Sequence, residues 1–172
     1  MPIWSPALFF SSAGEEAYVI QDSVMFDGSA DYLTFTPTHE GSRYKYTIST
    51  WVKNGNVGLS NTGIFSGDST NAGFLRLSSD AIDFGENGGT QQVVSTAKFR
   101  DPTAWFHVVA SWDSSNSTTN DRMIIYVNGV RLTDLATNNQ PSQGAESSIN
   151  QADLPFNIGA VSDAGPGQFW SG

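Results

Sequence analysis

The chain has 172 residues, seventeen acidic against eight basic side chains, a formal charge of −9 and no cysteine. With no cluster of Lys or Arg to neutralise phosphates, nucleic-acid binding through counterion release is disfavoured, and so is docking on anionic membranes. The absence of cysteine removes disulfides, thiolate zinc sites and cysteine nucleophiles together.

A chain of this size buries roughly 70% of its unfolded surface, enough for one domain with a sizeable core. Seventeen Gly and eleven Phe, with abundant Thr, Ser and Asn, point to an all-β protein with many turns. Residues 1–13 carry Trp4, Leu8, Phe9 and Phe10, but also two prolines and no basic stretch, a poor signal peptide. Nothing approaches the roughly 18 apolar residues of a membrane span. The sequence therefore divides into an arm over residues 1–16, expected to pack on the domain or on a neighbouring subunit, and one domain over residues 17–172.

Strands are expected at residues 17–20 and 23–27, with a turn at Asp27-Gly28-Ser29. Residues 31–37 alternate, with Leu33 and Phe35 on one face. Past the polar residues 39–45, residues 46–53 put Ile48 and Val52 inward and Trp51 on the opposite face, which must be partly covered or leave Trp51 exposed. Thr62–Gly67 follows a loop, and Phe74–Ser78 and residues 82–84 are short strands hinged at Ser79-Asp80. Gly88-Gly89 makes a turn before Gln91–Lys98. In residues 104–112 nearly every position is apolar or aromatic, as a central strand covered on both faces requires. The Asp, Ser, Asn and Thr residues of 113–121 are surface loop. Met123–Val127 is an apolar strand, closed by Asn128-Gly129 as a type I′ turn that leads back along residues 130–135. Residues 136–153 read as a long polar loop and 154–160 as a late strand. No stretch shows a capped 3.6-residue period, so little or no helix is expected. Short strands at this spacing mean an antiparallel sandwich.

The pattern W-φ-H-φ-φ-φ-x-φ-D followed by φ-Y-V-N-G stands here as Trp105, His107, Asp113 and the YVNG run ending at Gly129. It resembles the laminin-G-like / concanavalin-A-like lectin domain, a jelly-roll β-sandwich. The nearer similarity is to versions in bacteriophage tail-fibre and other virion proteins, marine phages especially. The matches are FDG at Phe26 with Tyr32-Leu33, then YTISTWVK from Tyr46, IFSGD from Ile64, FRDPTAWFH from Phe99 and NIGA from Asn157, with a terminal φ-x-G near Phe169–Gly172. They run collinearly from Val24 to Gly172. In such domains the chain continues from the last motif into another apolar strand, so the resemblance implies a sandwich lacking its last strand, as in a fragment of a longer chain. The other reading is that a neighbouring chain supplies the strand at an open edge.

Concanavalin-A-like folds host glucanases, whose paired carboxylates lie two apart on one strand; retaining enzymes hold the pair about 5–5.5 Å apart. The only glutamates are Glu15, Glu16, Glu40, Glu86 and Glu146, and none forms such a pattern. Asp83 and Glu86, three apart, would not point into one groove. A Ser-His-Asp site would need His39 or His107, and no G-x-S-x-G elbow is present. His107 reads as a sheet histidine hydrogen-bonded to a neighbour, and two histidines without cysteine make a poor zinc site.

Resident cofactors are not expected, with calcium as the one alternative. Its candidate ligands are Asp68 and Asn71 just past one strand and Asp163 past another, since a hard cation needs several converging oxygens. Loop aspartates also serve as plain turn formers. A sugar needs an exposed aromatic platform with amides beside it. Trp170, Tyr44 and Tyr18 are platform candidates, and Asn138, Asn139 and Gln140 could supply amides, whereas Trp51, Trp105 and Trp112 are assigned to packing. The combined expectation is a non-enzymatic structural or adhesion module on a phage particle. Its expected partners are other virion proteins, copies of itself or a host-surface glycan, with no nucleic acid and no membrane insertion. A true lectin, with or without calcium, is the alternative, and a polysaccharide-active enzyme the third.

Overall fold

A computed structural model describes residues 22–69, 71–162 and 166–172. Thirteen strands are assigned within them: β1 Leu33–Phe35, β2 Lys45–Val52, β3 Thr62–Gly67, β4 Phe74–Ser78, β5 Ala81–Glu86, β6 Gln91–Lys98, β7 Phe106–Asp113, β8 Met123–Val127, β9 Val130–Arg131, β10 Leu135–Asn139, β11 Phe156–Ile158, β12 Val161–Ser162 and β13 Pro166–Gly167. Among the described residues helix is confined to two single turns, at Asn87–Gly89 and Thr119–Asp121.

The strands form two antiparallel sheets and a two-stranded flap. The larger sheet runs β1-β11-β3-β4-β5-β6-β10, the smaller β2-β7-β8-β9, and β12 pairs β13. The two large sheets pack face to face through residues spaced two apart. Leu75, Leu77, Ile82, Phe84 and Val93 come from the larger sheet, and Val52, Phe106, Val108, Ala110, Trp112, Met123 and Ile125 from the smaller. Tyr46 and Trp112 are directly opposite on β2 and β7 and stack at 6.1 Å, while Phe84 meets the Tyr46 ring edge-on at 6.3 Å. That aromatic trio joins the two layers.

The tight turns follow from residues that tolerate a left-handed backbone. Asn128 (φ 49°) and Gly129 (φ 79°) close β8–β9, as the type I′ pattern requires. Ser79 (φ 49°) and Asp80 (φ 67°) close β4–β5 without a glycine; the hydrogen bonds of Asp80, described below, hold that conformation. Nothing lies within 4 Å of where a Gly129 side chain would start, so Gly129→Ala pays only for its φ. It should lower unfolding free energy by about 1–2 kcal/mol in a urea titration, and Gly129→Asn should lose less.

Two sequence expectations need correcting. β7 is not covered on both faces: Phe106, Val108, Ala110 and Trp112 are buried, but His107, Val109, Ser111 and Asp113 are only half-buried. Among the described residues, the smaller sheet has a core beneath it and none above it. Residues 136–153 are not all loop, because β10 pairs along the β6 edge, Asn139 opposite Gln92. Its polar sequence suits an edge strand with its side chains in water. The expected strand at 17–20 lies outside the described residues, and 23–27 contributes only a bridge, Asp27 to Ser171.

One close approach shapes the outer face of the larger sheet. Gly63 lies opposite Arg76 on that face. A β-carbon there would sit 2.2 Å from the Val161 amide nitrogen, so the Ala160–Val161 backbone lies flat on β3 and any side chain would lift it off.

Candidate functional site

At one end of the sandwich the segment joining β6 to β7 is pinned from below by Asp80. The buried Asp80 carboxylate accepts hydrogen bonds from the Gly58 amide (2.6 Å), Arg100 Nε (2.9 Å) and Asn54 Nδ2 (3.5 Å). Burial acts to raise its pKa, but the Gly58 amide, the Arg100 guanidinium and the Asn54 amide together hold it below the usual carboxylate value. The Asp80 carbonyl accepts from the Phe99 amide (2.8 Å) and Asn54 Nδ2 donates to the Phe99 carbonyl (3.1 Å). Phe99 stacks on Phe106 at 5.0 Å. Asp101 then turns the chain by accepting from the Thr103 amide (2.8 Å) and hydroxyl (2.6 Å); those donors keep its pKa low.

The turn delivers Trp105 to the surface, 47% exposed. Around it lies a depression of about 680 Å³ with Lys98, Arg100, Asp101, Pro102 and Asn128 in its walls. Asn128 is fixed by the β7–β8 pairing: its Oδ1 accepts the His107 amide (2.9 Å), and its amide donates to the His107 carbonyl (2.9 Å). Beside Trp105, Trp51 is 49% exposed and stacks on the His107 ring at 5.1 Å. His107 Nε2 lies 2.9 Å from Ser49 Oγ, the neighbour-bonded sheet histidine that its position suggests. With Lys53, three of the chain's eight basic side chains flank Trp105. The result is an aromatic face ringed by cationic and amide donors, the chemistry that stacks on a pyranose and bonds its hydroxyl or carboxylate groups.

Assigning Trp51 and Trp105 to packing is therefore wrong for both; Trp112 alone of the three is core. The signal was in the alternation. Once Ile48 and Val52 face inward, Trp51 faces out, and the buried parity of β7 leaves the odd positions outside. Trp170 is buried at 4% and offers no free face as a sugar platform. Its amide donates to the Gly159 carbonyl (2.8 Å) beside β11. Asn138 and Asn139 lie on β10, at the opposite edge of the larger sheet, so the structure does not bring them to Trp170. Asn138 is engaged with Asn120 (3.4 Å) and Gln140 (2.7 Å). Gln140 also brackets Met123, through its backbone N–H (2.8 Å) and C=O (3.1 Å). Tyr44 donates to Glu146 Oε1 (2.6 Å), and Tyr18 lies outside the described residues.

Of the calcium candidates, the Asp68 amide donates to the Pro155 carbonyl (2.7 Å), and Asn71 holds a left-handed φ of 69° under Gly88. Asp163 lies outside the described residues. Among the described residues no three His, Cys, Asp or Glu side chains converge.

The two carboxylates of β5 serve opposite faces. Asp83 takes Arg76 Nε (2.9 Å) and Gln92 Nε2 (2.9 and 3.0 Å) on the outer face. Burial pushes its carboxyl up, and Arg76 and Gln92 oppose that. Glu86 turns towards the smaller sheet at the far end, accepting from Ser147 Oγ (2.6 Å) and the Ser148 amide (2.9 Å). Burial raises the Glu86 pKa too, and burial, then the Glu86 charge, raises that of Tyr46. With separate partners on separate faces, the pair does not form an acid–base couple across one groove.

The family model for concanavalin A-like lectins and glucanases matches residues 27–172. The chain belongs to that superfamily. Two solved structures share its fold. A native heptameric SAP-like pentraxin from Limulus polyphemus aligns at a TM-score of 0.61 and 20% identity, covering 86% of this chain and 70% of that one. Domains LG4-5 of the mouse laminin alpha1 chain align at 0.55 and 15%, covering 86% and 37%. Among curated proteins none matches the sequence. The superfamily holds both lectins and glucanases, so membership supplies the scaffold and leaves the chemistry to individual residues.

Proposed function

We propose that this domain is a non-enzymatic adhesion and structural module of a phage virion, a tail-fibre or decoration component that meets host-surface glycan at the Trp105 depression. The virion setting rests on the sequence resemblance. The recognition role rests on one observation: a half-exposed tryptophan held on a rigid turn among Lys98, Arg100 and Asn128. Other virion proteins and further copies of this chain are its structural partners; the Limulus pentraxin that shares the fold is itself a heptamer.

An array of bacterial surface glycans, read with and without a chelator, tests the reading. Binding should appear and should weaken about tenfold in Trp105→Ala, a change of about 1.4 kcal/mol. Because the ring is half exposed, the unfolding midpoint of that variant should barely move. Loss of binding with chelator would favour a calcium-dependent lectin. No bound glycan would sink the glycan contact and leave the structural role, and turnover of a bound polysaccharide would overturn the non-enzymatic reading.

A further inference from the structure

The charges at the Trp105 depression narrow its ligand. In the wall, Lys98 and Arg100 stand against one acid, Asp101. Asp101 already accepts the Thr103 amide and hydroxyl on a single oxygen. Those donors, and after them the Lys53 charge, keep its pKa low. Asp80 offsets Arg100 from beneath, which leaves Lys98 and Lys53 against Asp101. A hollow of positive balance is thus set into a chain whose formal charge is −9.

Arg100 is the group that gives this charge a shape. Its Nε donates to the Asp80 carboxylate (2.9 Å), which is itself fixed by the Gly58 amide (2.6 Å). The guanidinium is therefore anchored by one nitrogen, while its side chain stays 64% exposed. Its two terminal nitrogens have no hydrogen-bond partner among the described residues. They make a planar, end-on fork of the kind that meets both oxygens of a carboxylate. Beside the fork, Trp105 offers a half-exposed ring to the apolar face of a pyranose. Asn128, whose Oδ1 is taken by the His107 amide, keeps Nδ2 for a hydroxyl. A neutral sugar would make no use of the fork, and a simple anion would make no use of the indole.

We infer that the site takes a carboxylated sugar, a uronic acid or its like at a chain end, with Arg100 as the specificity-determining residue. The inference rests on the glycan reading of the Trp105 depression and adds the charge of the ligand. A carboxylate is the anion chosen because both its oxygens lie in the plane of one fork, as those of a sulfate do not all do.

The unmodified full chain tests it on an array of oligosaccharides ending in glucuronic, galacturonic or mannuronic acid. Each acid is printed beside a carboxyl-reduced twin and a sulfated twin. At least one acid should bind tenfold or more tighter than its reduced twin, and salt should shrink that preference. Arg100→Lys keeps the charge but gives up the fork, and should cut the preference at least fivefold. Because Arg100 also braces the turn through Asp80, Lys98→Gln supplies a second reading that leaves the Asp80 bonds alone; there the preference should fall about threefold. Acids and reduced twins bound equally would overturn the inference and leave the glycan reading standing. A preference unchanged in both variants would also overturn it, and so would a sulfated twin bound tighter than the acid. No binding to any sugar, the neutral ones included, would remove the glycan reading and this inference together.

Discussion

Trp112→Ala should cost about 3–5 kcal/mol of unfolding free energy, the largest single-residue loss expected in this domain. Trp112 is fully buried between the sheets, stacked on Tyr46 and packed into the cluster that includes Phe84, Met123 and Ile125. Truncation opens a cavity where both layers meet, and rigid β-strands cannot close on it. The indole N–H, however, has no hydrogen-bond partner among the described residues, and an unpaired buried donor is itself unfavourable. Trp112→Phe gives up volume but also removes that donor, so it should cost less than half as much. Urea midpoints for the two variants decide the matter. Equal losses would mean that the N–H is satisfied in solution and contributes to stability.

The second large effect is at Glu86, whose carboxylate clasps the 141–151 segment across the end of the sandwich. Ser147 Oγ donates to it, accepts the Ile149 amide (2.9 Å) and lies 3.3 Å from the Tyr46 hydroxyl. Arg43 Nε donates to the Ser147 carbonyl (2.7 Å), and Ser148 Oγ accepts the Gly73 amide (2.7 Å). Glu86→Ala strands the Ser147 hydroxyl and the Ser148 amide and should cost about 3 kcal/mol. Its pH dependence has a definite sign. Burial raises the folded pKa above the ordinary 4.5, so the folded state holds this proton more tightly than the unfolded one. The contribution is full below 4.5 and is lost as pH rises through the folded pKa. Subtracting the Glu86→Gln stability curve from that of the unmodified chain, between pH 4 and 8, should leave a difference that falls with pH. A flat or rising difference would show Glu86 to be ionised without penalty.

Much of the sandwich was legible in the sequence because its signals are local. Thr62–Gly67, Phe74–Ser78, Gln91–Lys98 and Met123–Val127 were bounded by turn residues and came out at those limits. β10 was missed because an edge strand needs only one backbone partner and no apolar face, so LATNN carries no period-two signal. The tryptophans were misread for another reason. Aromatic content marks a residue as worth burying, but only register says which face has a layer over it. The second sheet covers β7 on one side alone, a tertiary fact that no stretch of its own sequence encodes. The Trp105 site is further hidden because Lys98, Trp105 and Asn128 meet only once the β6–β7 and β8–β9 connections converge.

The contact between Gly63 and the Val161 backbone also bears on what shape of ligand the molecule can hold. With its own main chain laid over β3, the outer face of the larger sheet is roofed at that strand. A long unbranched polymer crossing the face at β3 would strike peptide groups. On the proposed reading, recognition is left to a shallow end surface, which suits terminal sugars and branch tips. Many weak contacts of that kind on a multimeric particle would then add up to firm attachment.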